Sequence, residues 1–210
     1  MTQRPPPERS RRHWLAGALL LAAASAFAAD WAPGSSDWDK LPEAKQSKAG
    51  LYLTPQQAYA MKRQNPQGVA FFDIRTRAEA VFVGMPSDVD ALVPFVEFPE
   101  IMVEWDDKRH MYKLEPNQDF VAEFERRLKE KGLGKDATVI LICRSGDRSA
   151  KAQDRLLQAG YTQVYGIAEG FEGDAAKGGA QDGQRVVNGW KNAGLPWTYK
   201  LDKAKMYFVK

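Results

Sequence analysis

The sequence predicts an α/β fold with a mainly parallel central sheet flanked by helices. Two short and almost wholly apolar runs, residues 69–74 and 137–142, are typical of strands buried on both faces of such a sheet. Amphipathic segments with helical spacing alternate with the apolar runs, and most links between them are short. The length of 210 residues suits one ordinary domain with some additions, or two very small ones.

The first 28 residues have the composition of a signal peptide. A basic region that includes the pair Arg11-Arg12 precedes the uncharged run 14–27, and Ala26-Phe27-Ala28 offers small residues for cleavage. The alternative is an N-terminal membrane anchor that is never removed. Export by the Sec or the twin-arginine route would place the protein in the periplasm of a bacterium with two membranes. After removal of the leader we expect no stable membrane insertion, because no other segment is long and apolar enough.

The net charge of the chain lies in this leader. Residues 1–28 hold four Arg and one Glu, which account for the whole formal charge of +3. The rest of the chain is formally neutral, so we expect no nucleic-acid partner. The single cysteine, Cys143, cannot form a disulfide within the chain, although exported proteins usually pair their cysteines. It is either a buried apolar residue or a thiol kept for its chemistry.

The N-terminal half begins with a predicted linker. Residues 29–50 are rich in Pro, Gly, Ser and Lys and show no apolar period, which predicts an extended segment before a domain at 51–200. A helix should begin at Thr54-Pro55-Gln56-Gln57, because Thr is a good N-cap and Pro suits the first helical position. After the strand at 69–74, residues 92–98 predict another strand, although Pro94 disfavours a fully paired position.

The C-terminal half alternates helices and strands. Residues 101–114 predict a hairpin that turns at 106–108, and 116–131 form an amphipathic helix. The most apolar strand, 137–142, should be central in the sheet. The remaining predicted segments are a helix at 149–159, a strand at 164–167, a long Gly- and Asp-rich loop at 168–189, a short helix that starts at 188–191, and a tail at 201–210.

The strongest chemical signal is the run Cys143-Arg144-Ser145-Gly146-Asp147-Arg148-Ser149, between the predicted central strand and the next helix. In open α/β sheets, ligands bind beyond the carboxyl ends of the strands. Backbone N–H groups of a tight loop can form an anion nest, for which Gly146 provides the backbone freedom. The helix start and two arginines favour a thiolate. We therefore expect Cys143 to be a nucleophile beside a cradle for an anionic group.

This run resembles the active-site loop of rhodanese-like sulfurtransferases, and the resemblance extends over residues 51–200. Asp73-Ile74-Arg75, followed by Glu79 and Gly84, is similar to the Asp-Val-Arg segment of that family. The segments that resemble its C-terminal portion are Gly170-Phe171, Gly189-Trp190 and Ala193-Gly194-Leu195-Pro196. The chain is thereby identified as resembling an exported, single-domain member with a rhodanese-like fold.

The resemblance implies a mechanism through a persulfide on the catalytic Cys143. A small anionic donor of sulfane sulfur, such as thiosulfate or a polysulfide, would load the thiolate, and a thiophilic acceptor or protein thiol would remove the sulfur. The implied substrate-binding residues are Arg144, Ser145, Gly146, Asp147 and Arg148. Asp73, Arg75 and Ser149 would support the loop. We expect no cofactor, and no metal, because no cluster of His, Cys, Asp and Glu has metal-ligand spacing.

Other readings of the loop stay open. Related phosphatases and arsenate reductases of similar fold have a loop one residue longer, whereas Arg148 comes five positions after Cys143 here, which favours sulfur. The chain has Gly84-Met85-Pro86 where relatives usually carry Gly-His-Ile. The hairpin 101–114 and the loop 172–189 look like insertions, which would reshape the acceptor side of the pocket. The alternative function is a weakly catalytic binding or sulfur-carrier module that serves a periplasmic partner.

Overall fold

The computed structural model describes residues 36–209, so the predicted signal peptide at 1–28 and the beginning of the predicted linker lie outside the described residues. Within them, no helix is long and apolar enough to cross a membrane. The helices are α1 (Pro55–Gln64), α2 (Arg77–Val83), α3 (Phe120–Glu130) and α4 (Asp147–Gln158). The strands are β1 (Tyr52–Leu53), β2 (Val69–Asp73), β3 (Met85–Pro86), β4 (Ala91–Leu92), β5 (Val96–Glu97), β6 (Trp105–Asp106), β7 (Met111–Tyr112), β8 (Glu115–Pro116), β9 (Thr138–Ile142), β10 (Val164–Ile167) and β11 (Trp197–Thr198).

A five-stranded parallel sheet forms the centre of the molecule, in the order β1-β10-β9-β2-β4. The prediction that β9 is the central strand is confirmed. β2 pairs with β9 along its whole length, from Val69 opposite Thr138 to Asp73 opposite Ile142. Because the two strands are parallel and in this register, Asp73 and Cys143 leave the sheet at the same edge.

Apolar side chains cover both faces of this sheet, which is why its strands lack an alternating pattern. On one face, Phe72 and Leu141 pack in a cluster with residues of α3 and α4, such as Phe124. On the other face, Phe71 and Ile140 pack with residues of α1 and α2 and with Trp190. The predicted α/β class, with a parallel sheet between helices, is therefore confirmed.

The start of α1 has the predicted chemistry. Thr54 Oγ1 accepts a hydrogen bond from the N–H of Gln57 at 3.1 Å, and the side chain of Gln57 accepts one from the N–H of Thr54 at 2.9 Å. This capping box satisfies two N–H groups that the first helical turn leaves without partners.

A helix that the sequence prediction omitted, α2, follows β2. It has the same kind of start, since Thr76 and Glu79 form a second capping box. The spacing Thr76-Arg77-Ala78-Glu79 is the sequence signature of such a start. The helix is only seven residues long, so its apolar period is too brief to stand out.

Several predicted boundaries are wrong. Residues 92–98 do not form one strand, because the chain leaves the sheet near Pro94 and pairs again as β5 with β8. The pairing of Pro116 with Val96 delays the start of α3 to Phe120. The predicted last helix is a turn, in which the N–H of Ala193 donates to the carbonyl of Gly189 at 2.9 Å.

The segment before β1 is folded onto the domain rather than extended. Residues 36–45 contain two short 3-10 helices, Ser36–Lys40 and Glu43–Lys45. Trp38 and Leu41 are buried against Tyr52 and Ala168, so the prediction of an extended linker is wrong for the described part of this segment. The contact of this segment with the domain is not visible in its composition, because it buries only two apolar side chains of the segment, Trp38 and Leu41.

The two predicted additions lie on the surface. β6 and β7 form a two-stranded hairpin within residues 101–114, with Trp105 opposite Tyr112. The loop at 172–189 has little regular structure beyond a short 3-10 helix, Gly179–Gln181, and a bridge between Ala175 and Arg185. The C-terminal residues are held on α3, because Arg127 donates to the carbonyls of Ala204 and Met206.

Candidate active site

Cys143 follows the last residue of the central strand and is fully buried, with 0% of its surface exposed. Its sulfur accepts a hydrogen bond from the backbone N–H of Gly146 at 3.1 Å. The start of α4 lies directly after Gly146 and adds the partial positive charge of its N–H groups. These contacts favour a negatively charged sulfur at this position.

Gly146 has a backbone conformation that the loop requires. Its φ of +105° lies in the region where residues other than glycine are strained. A Cβ on this residue would also lie 2.2 Å from the carbonyl oxygen of Ala168. The helix α4 begins at Asp147, two residues before the predicted start at Ser149. The loop itself is therefore short, and Asp147 and Arg148 belong to the first turn of the helix.

Arg148 makes a bidentate ion pair with Glu79. Its two terminal nitrogens lie 2.7 and 2.5 Å from the carboxylate oxygens, and both side chains are largely buried. Burial disfavours the charged form of Glu79, but the hydrogen bonds and charge of Arg148 outweigh it and lower the pKa of Glu79 to about 2. Burial also opposes the charge of Arg148, yet Glu79, with smaller effects of Cys143 and Asp147, raises the pKa of Arg148. In this structure Arg148 is therefore paired with Glu79, and its contact with a substrate stays a prediction.

Arg144 is the more accessible of the two predicted cations. Its side chain is 42% exposed, and its Nε lies 3.1 Å from a carboxylate oxygen of Glu172. The backbone carbonyl of Arg144 accepts hydrogen bonds from the N–H groups of Glu172 and Gly173 at 3.0 and 3.2 Å. The segment that supplies Glu172 is therefore fixed to the loop, and the carboxylate of Glu172 is the partner of Arg144 in this structure.

Asp73 and Arg75 lie behind the loop and are fully buried. Arg75 donates to both oxygens of Asp73, at distances from 2.6 to 3.1 Å, and to the carbonyl of Gly84 at 2.7 Å. The guanidinium of Arg75 also stacks 4.1 Å from the ring centre of Phe171. Phe171 in turn donates its N–H to the carbonyl of Cys143 at 2.8 Å. This chain of contacts fits the expected supporting role of Asp73 and Arg75.

The other predicted site residues make local contacts. The hydroxyl of Ser145 donates to the carboxylate of Asp147 at 3.3 Å. Ser149 is buried in the first part of α4, and its hydroxyl has no hydrogen-bond partner among the described residues. These positions place Ser145 and Asp147 beside the loop and Ser149 beneath it.

Some residues at the site were not assigned a role from the sequence. Glu79 is part of the segment that resembles the family and lies in a capping motif, but neither signal predicts its pairing with Arg148, and Glu172 has no local signal for a site. Arg185, in the loop 172–189, donates to the carbonyl of Gly173 at 2.6 Å, and burial together with the charge of Arg144 lowers the pKa of Arg185. The inserted loop therefore brings another cation near Arg144, which only the folded chain reveals.

Within residues 36–209, neither a histidine nor a metal-binding cluster lies at the catalytic loop. His110 lies in the turn between β6 and β7, and the hydrogen bonds and ion pairs of residues 101–113 stay within that hairpin in the described structure. Across residues 36–209, no group of three or more His, Cys, Asp or Glu could hold a metal ion. The expectation of a site without metal or cofactor stays a prediction.

Comparison with known protein families gives one match, a rhodanese-like domain at residues 54–177. This match covers more than half of the chain and includes the loop at 143–149 together with Glu79 and Glu172. The chain belongs to the rhodanese-like family. The resemblance drawn from the sequence is thus confirmed at the level of the family, and the family match ends within the loop 172–189 and begins after the N-terminal segment 36–50.

Three relatives of this rhodanese-like protein carry names that state no activity. A Rickettsia rickettsii protein named "Uncharacterized protein RP600 homolog" is 32% identical over 129 residues, which are 60% of this chain and 80% of the relative. The Rickettsia prowazekii protein RP600 is 30% identical over 127 residues, with the same two coverages. The crystal structure of Rv0390 from M. tuberculosis is 31% identical with a TM-score of 0.52, and the similarity covers 70% of this chain and 96% of Rv0390.

Proposed function

We propose that this rhodanese-like protein is a sulfurtransferase that carries sulfane sulfur as a persulfide on Cys143. The observation that supports this most directly is the hydrogen bond of 3.1 Å from the Gly146 N–H to the Cys143 sulfur, at the carboxyl end of the central strand. A donor aimed at the sulfur stabilises negative charge there, both on the thiolate and on a persulfide. The family match supports the same class of chemistry.

The proposed reaction has two balanced steps. The Cys143 thiolate attacks the outer sulfur of thiosulfate, the sulfur–sulfur bond of the donor breaks, and sulfite leaves with the bonding electron pair. The product is a Cys143 persulfide anion. A thiophilic acceptor such as cyanide or a thiolate then attacks the terminal sulfur and restores the Cys143 thiolate. A polysulfide donor would react in the same way and leave as a shorter polysulfide.

The two arginines have different parts in this proposal. Arg148 is held by Glu79 and keeps the first turn of α4 in place beside the sulfur. Arg144 is half-exposed, so it is the cation that would meet an anionic donor, in competition with Glu172. Because Cys143 is fully buried, the donor can reach the sulfur only if the side chains above the loop move. The pair Arg144–Glu172 is partly exposed, so it separates at less cost than the more buried pair Arg148–Glu79.

The test is sulfur loading of the purified protein. We expect thiosulfate to add the mass of one sulfur atom to the wild-type chain, and cyanide to remove it as thiocyanate. Cys143→Ala should gain no sulfur, because the chain has no other thiol. The intact mass before and after each addition gives the result. A wild-type thiol that stays unmodified by both thiosulfate and polysulfide would show that this function is wrong.

A second candidate is a binding or sulfur-carrier module with weak catalysis. The observation that favours it is that both loop arginines already have carboxylate partners, so neither is free for a small anion in this structure. Such a module would load sulfur slowly and release it only to a specific partner protein. Rapid transfer to cyanide and to small thiols over many turnovers supports the enzyme, whereas a single slow loading supports the module.

We further propose that the protein acts in the periplasm after removal of residues 1–28. The support is the composition of the leader, with its paired arginines, apolar run and small residues at the end. The N-terminal residue of protein isolated from the periplasmic fraction tests this. We expect it to be Ala29, and recovery of the uncut chain from membranes would favour the anchor instead.

A further inference from the structure

The N-terminal segment 36–50 lies against the catalytic loop, although it precedes the residues that match the family. Trp38 and Leu41 fix it to Tyr52 and Ala168. The backbone N–H of Lys48 donates to the carboxylate of Asp154 on α4 at 2.7 Å. The segment therefore crosses the helix that begins at the active site, and its 3-10 turn at Glu43–Lys45 brings Lys45 to the loop.

Lys45 joins two parts of the site. Its Nζ lies 2.8 Å from both carboxylate oxygens of Asp174, and its side chain is only 11% exposed. Asp174 is itself held by Asn188, which accepts from its N–H at 2.8 Å and donates to its carboxylate at 3.1 Å. Asp174 thus holds the ammonium group at the end of the Lys45 side chain, and the hydrocarbon stem is held in place with it.

The stem of Lys45 lies over Gly146. A Cβ built on Gly146 would be 3.2 Å from Cδ of Lys45 and 2.2 Å from the carbonyl oxygen of Ala168. The carbonyl of Ala168 and the stem of Lys45 therefore both cover the side of Gly146 on which a Cβ would stand. Its φ of +105° is a conformation that needs support from its surroundings. The N–H of this residue is the group that donates to the Cys143 sulfur.

We propose that Lys45 is a positioning residue of the active site, which holds Gly146 so that its N–H points at the Cys143 sulfur. The segment 36–50 is then a brace of the loop rather than a linker. This inference uses the proposed function only in taking Cys143 as the reactive group. The ion pair with Asp174 fixes Lys45 in place, and the methylene stem makes the contact that limits the motion of the loop.

If Lys45 had only a structural role, its loss would lower the stability of the whole fold. If Lys45 is a positioning residue, its loss should affect mainly the amide of Gly146. The variant Lys45→Met keeps a stem of similar length and removes the ion pair, and Lys45→Arg keeps both. The matched control is Lys48→Met, which removes an exposed lysine from the same segment and leaves its backbone bond to Asp154 intact. Asp174→Asn weakens the same pair from the other side if Lys45→Met folds poorly.

The experiment measures hydrogen exchange of the Gly146 amide by NMR in the full-length chain, and the rate of Cys143 alkylation by iodoacetamide across pH. In Lys45→Met and in Asp174→Asn, we expect Gly146 exchange to rise about tenfold or more while the amides of β9 keep their protection. We also expect alkylation to be faster in both variants, because the loop that covers the buried sulfur opens more often. Lys45→Arg and Lys48→Met should behave as wild type.

Unchanged exchange at Gly146 in both variants would overturn the proposal, and so would a uniform rise in Gly146 and β9, since that is a loss of global stability. Neither measurement involves sulfur transfer. If the wild type loads no sulfur while Lys45→Met still raises the exchange of the Gly146 amide, the proposed function is wrong and the positioning role of Lys45 is supported.

Discussion

The sulfur of Cys143 accepts a hydrogen bond from the backbone of Gly146, and the charge of Arg148 acts on it as well. A hydrogen bond to a charged acceptor contributes about 1.5–3 kcal/mol, so the contact from Gly146 stabilises negative charge on the sulfur. The neighbouring cation Arg148 adds to this effect, although Glu79 offsets part of its charge. Reactivity at this residue therefore depends on the shape of the loop.

The carboxylate of Glu172 should limit the binding of an anionic donor. In Glu172→Gln, Arg144 loses its ion-pair partner and one negative charge leaves the mouth of the loop. We expect KM for thiosulfate to fall by about two- to fivefold, because a partly exposed pair of this kind is worth up to ~1 kcal/mol. Steady-state rates of thiocyanate formation give KM. Glu125→Gln, which removes a distant exposed charge, is the control, and an equal or higher KM in Glu172→Gln would contradict the role of Glu172.

The helices α2 and α4 are connected through a single carboxylate at their first turns. Oε2 of Glu79 accepts from the N–H and hydroxyl of Thr76 at 2.9 and 3.0 Å, and both oxygens of Glu79 accept from Arg148. The same side chain therefore caps α2 and holds α4 beside Cys143. A shift of α2 would move the catalytic loop through this contact.

This connection predicts a pH dependence of stability. The pKa of Glu79 is lowered from an ordinary value of 4.5 to about 2, so its ionised form stabilises the native state fully above about pH 4.5. The stabilisation is lost as the pH falls through about 2. Glu79→Gln should be less stable than wild type by about 2–3 kcal/mol at pH 7, and the difference should shrink towards pH 2.

Urea unfolding at several pH values between 2 and 7 measures this difference. The exposed variant Glu125→Gln should follow wild type over the whole range. A deficit of Glu79→Gln that stays constant down to pH 2 would mean that it does not come from the charge of Glu79.

At the scale of the whole molecule, the hairpin at 101–114 is separate from the core. Trp105 contacts Tyr112, the ion pairs Lys113–Glu104 and Arg109–Asp106 are internal to the hairpin, and Ile101 and Val103 are exposed. The flanking strands β5 and β8 pair antiparallel, with Glu97 opposite Glu115. The ends of the segment are therefore already close together.

Replacement of residues 99–113 by Asn-Gly should leave the fold intact. Phe98 directly follows Glu97 and Leu114 directly precedes its partner Glu115, so a two-residue turn can join Phe98 to Leu114. We expect Tm to change by less than about 4 °C, which corresponds to ~1 kcal/mol for a chain of this size, and sulfur loading to be unchanged. Thermal unfolding by circular dichroism measures this. Phe120→Ala, which removes a buried ring, gives the scale of a core defect, and a comparable loss in the shortened chain would refute the separation.

Local signals predicted most of the fold correctly. The strands β2, β9 and β10, the start of α1 and the amphipathic body of α3 depend on runs of adjacent residues or on capping chemistry, so they are visible in the sequence. The strands β1, β3 and β11 are two residues long and are paired with distant parts of the chain, so no local pattern marks them. The single predicted strand at 92–98 divides because Val96 finds its partner twenty residues further on, at Pro116.

By itself, the sequence determined the α/β class, the central strand and the position of Cys143 in a short loop before a helix. Each of these depends on the order of residues within one or two elements. Tertiary structure alone decided the partners of that loop: Glu79 on Arg148, Glu172 on Arg144, and Lys45 over Gly146. Glu79 and Arg148 are 69 positions apart, and the ion pair with Asp174 that holds Lys45 joins residues 129 positions apart. Their pairing follows from where the sheet and its covering segments place charged side chains, which is a property of the folded chain.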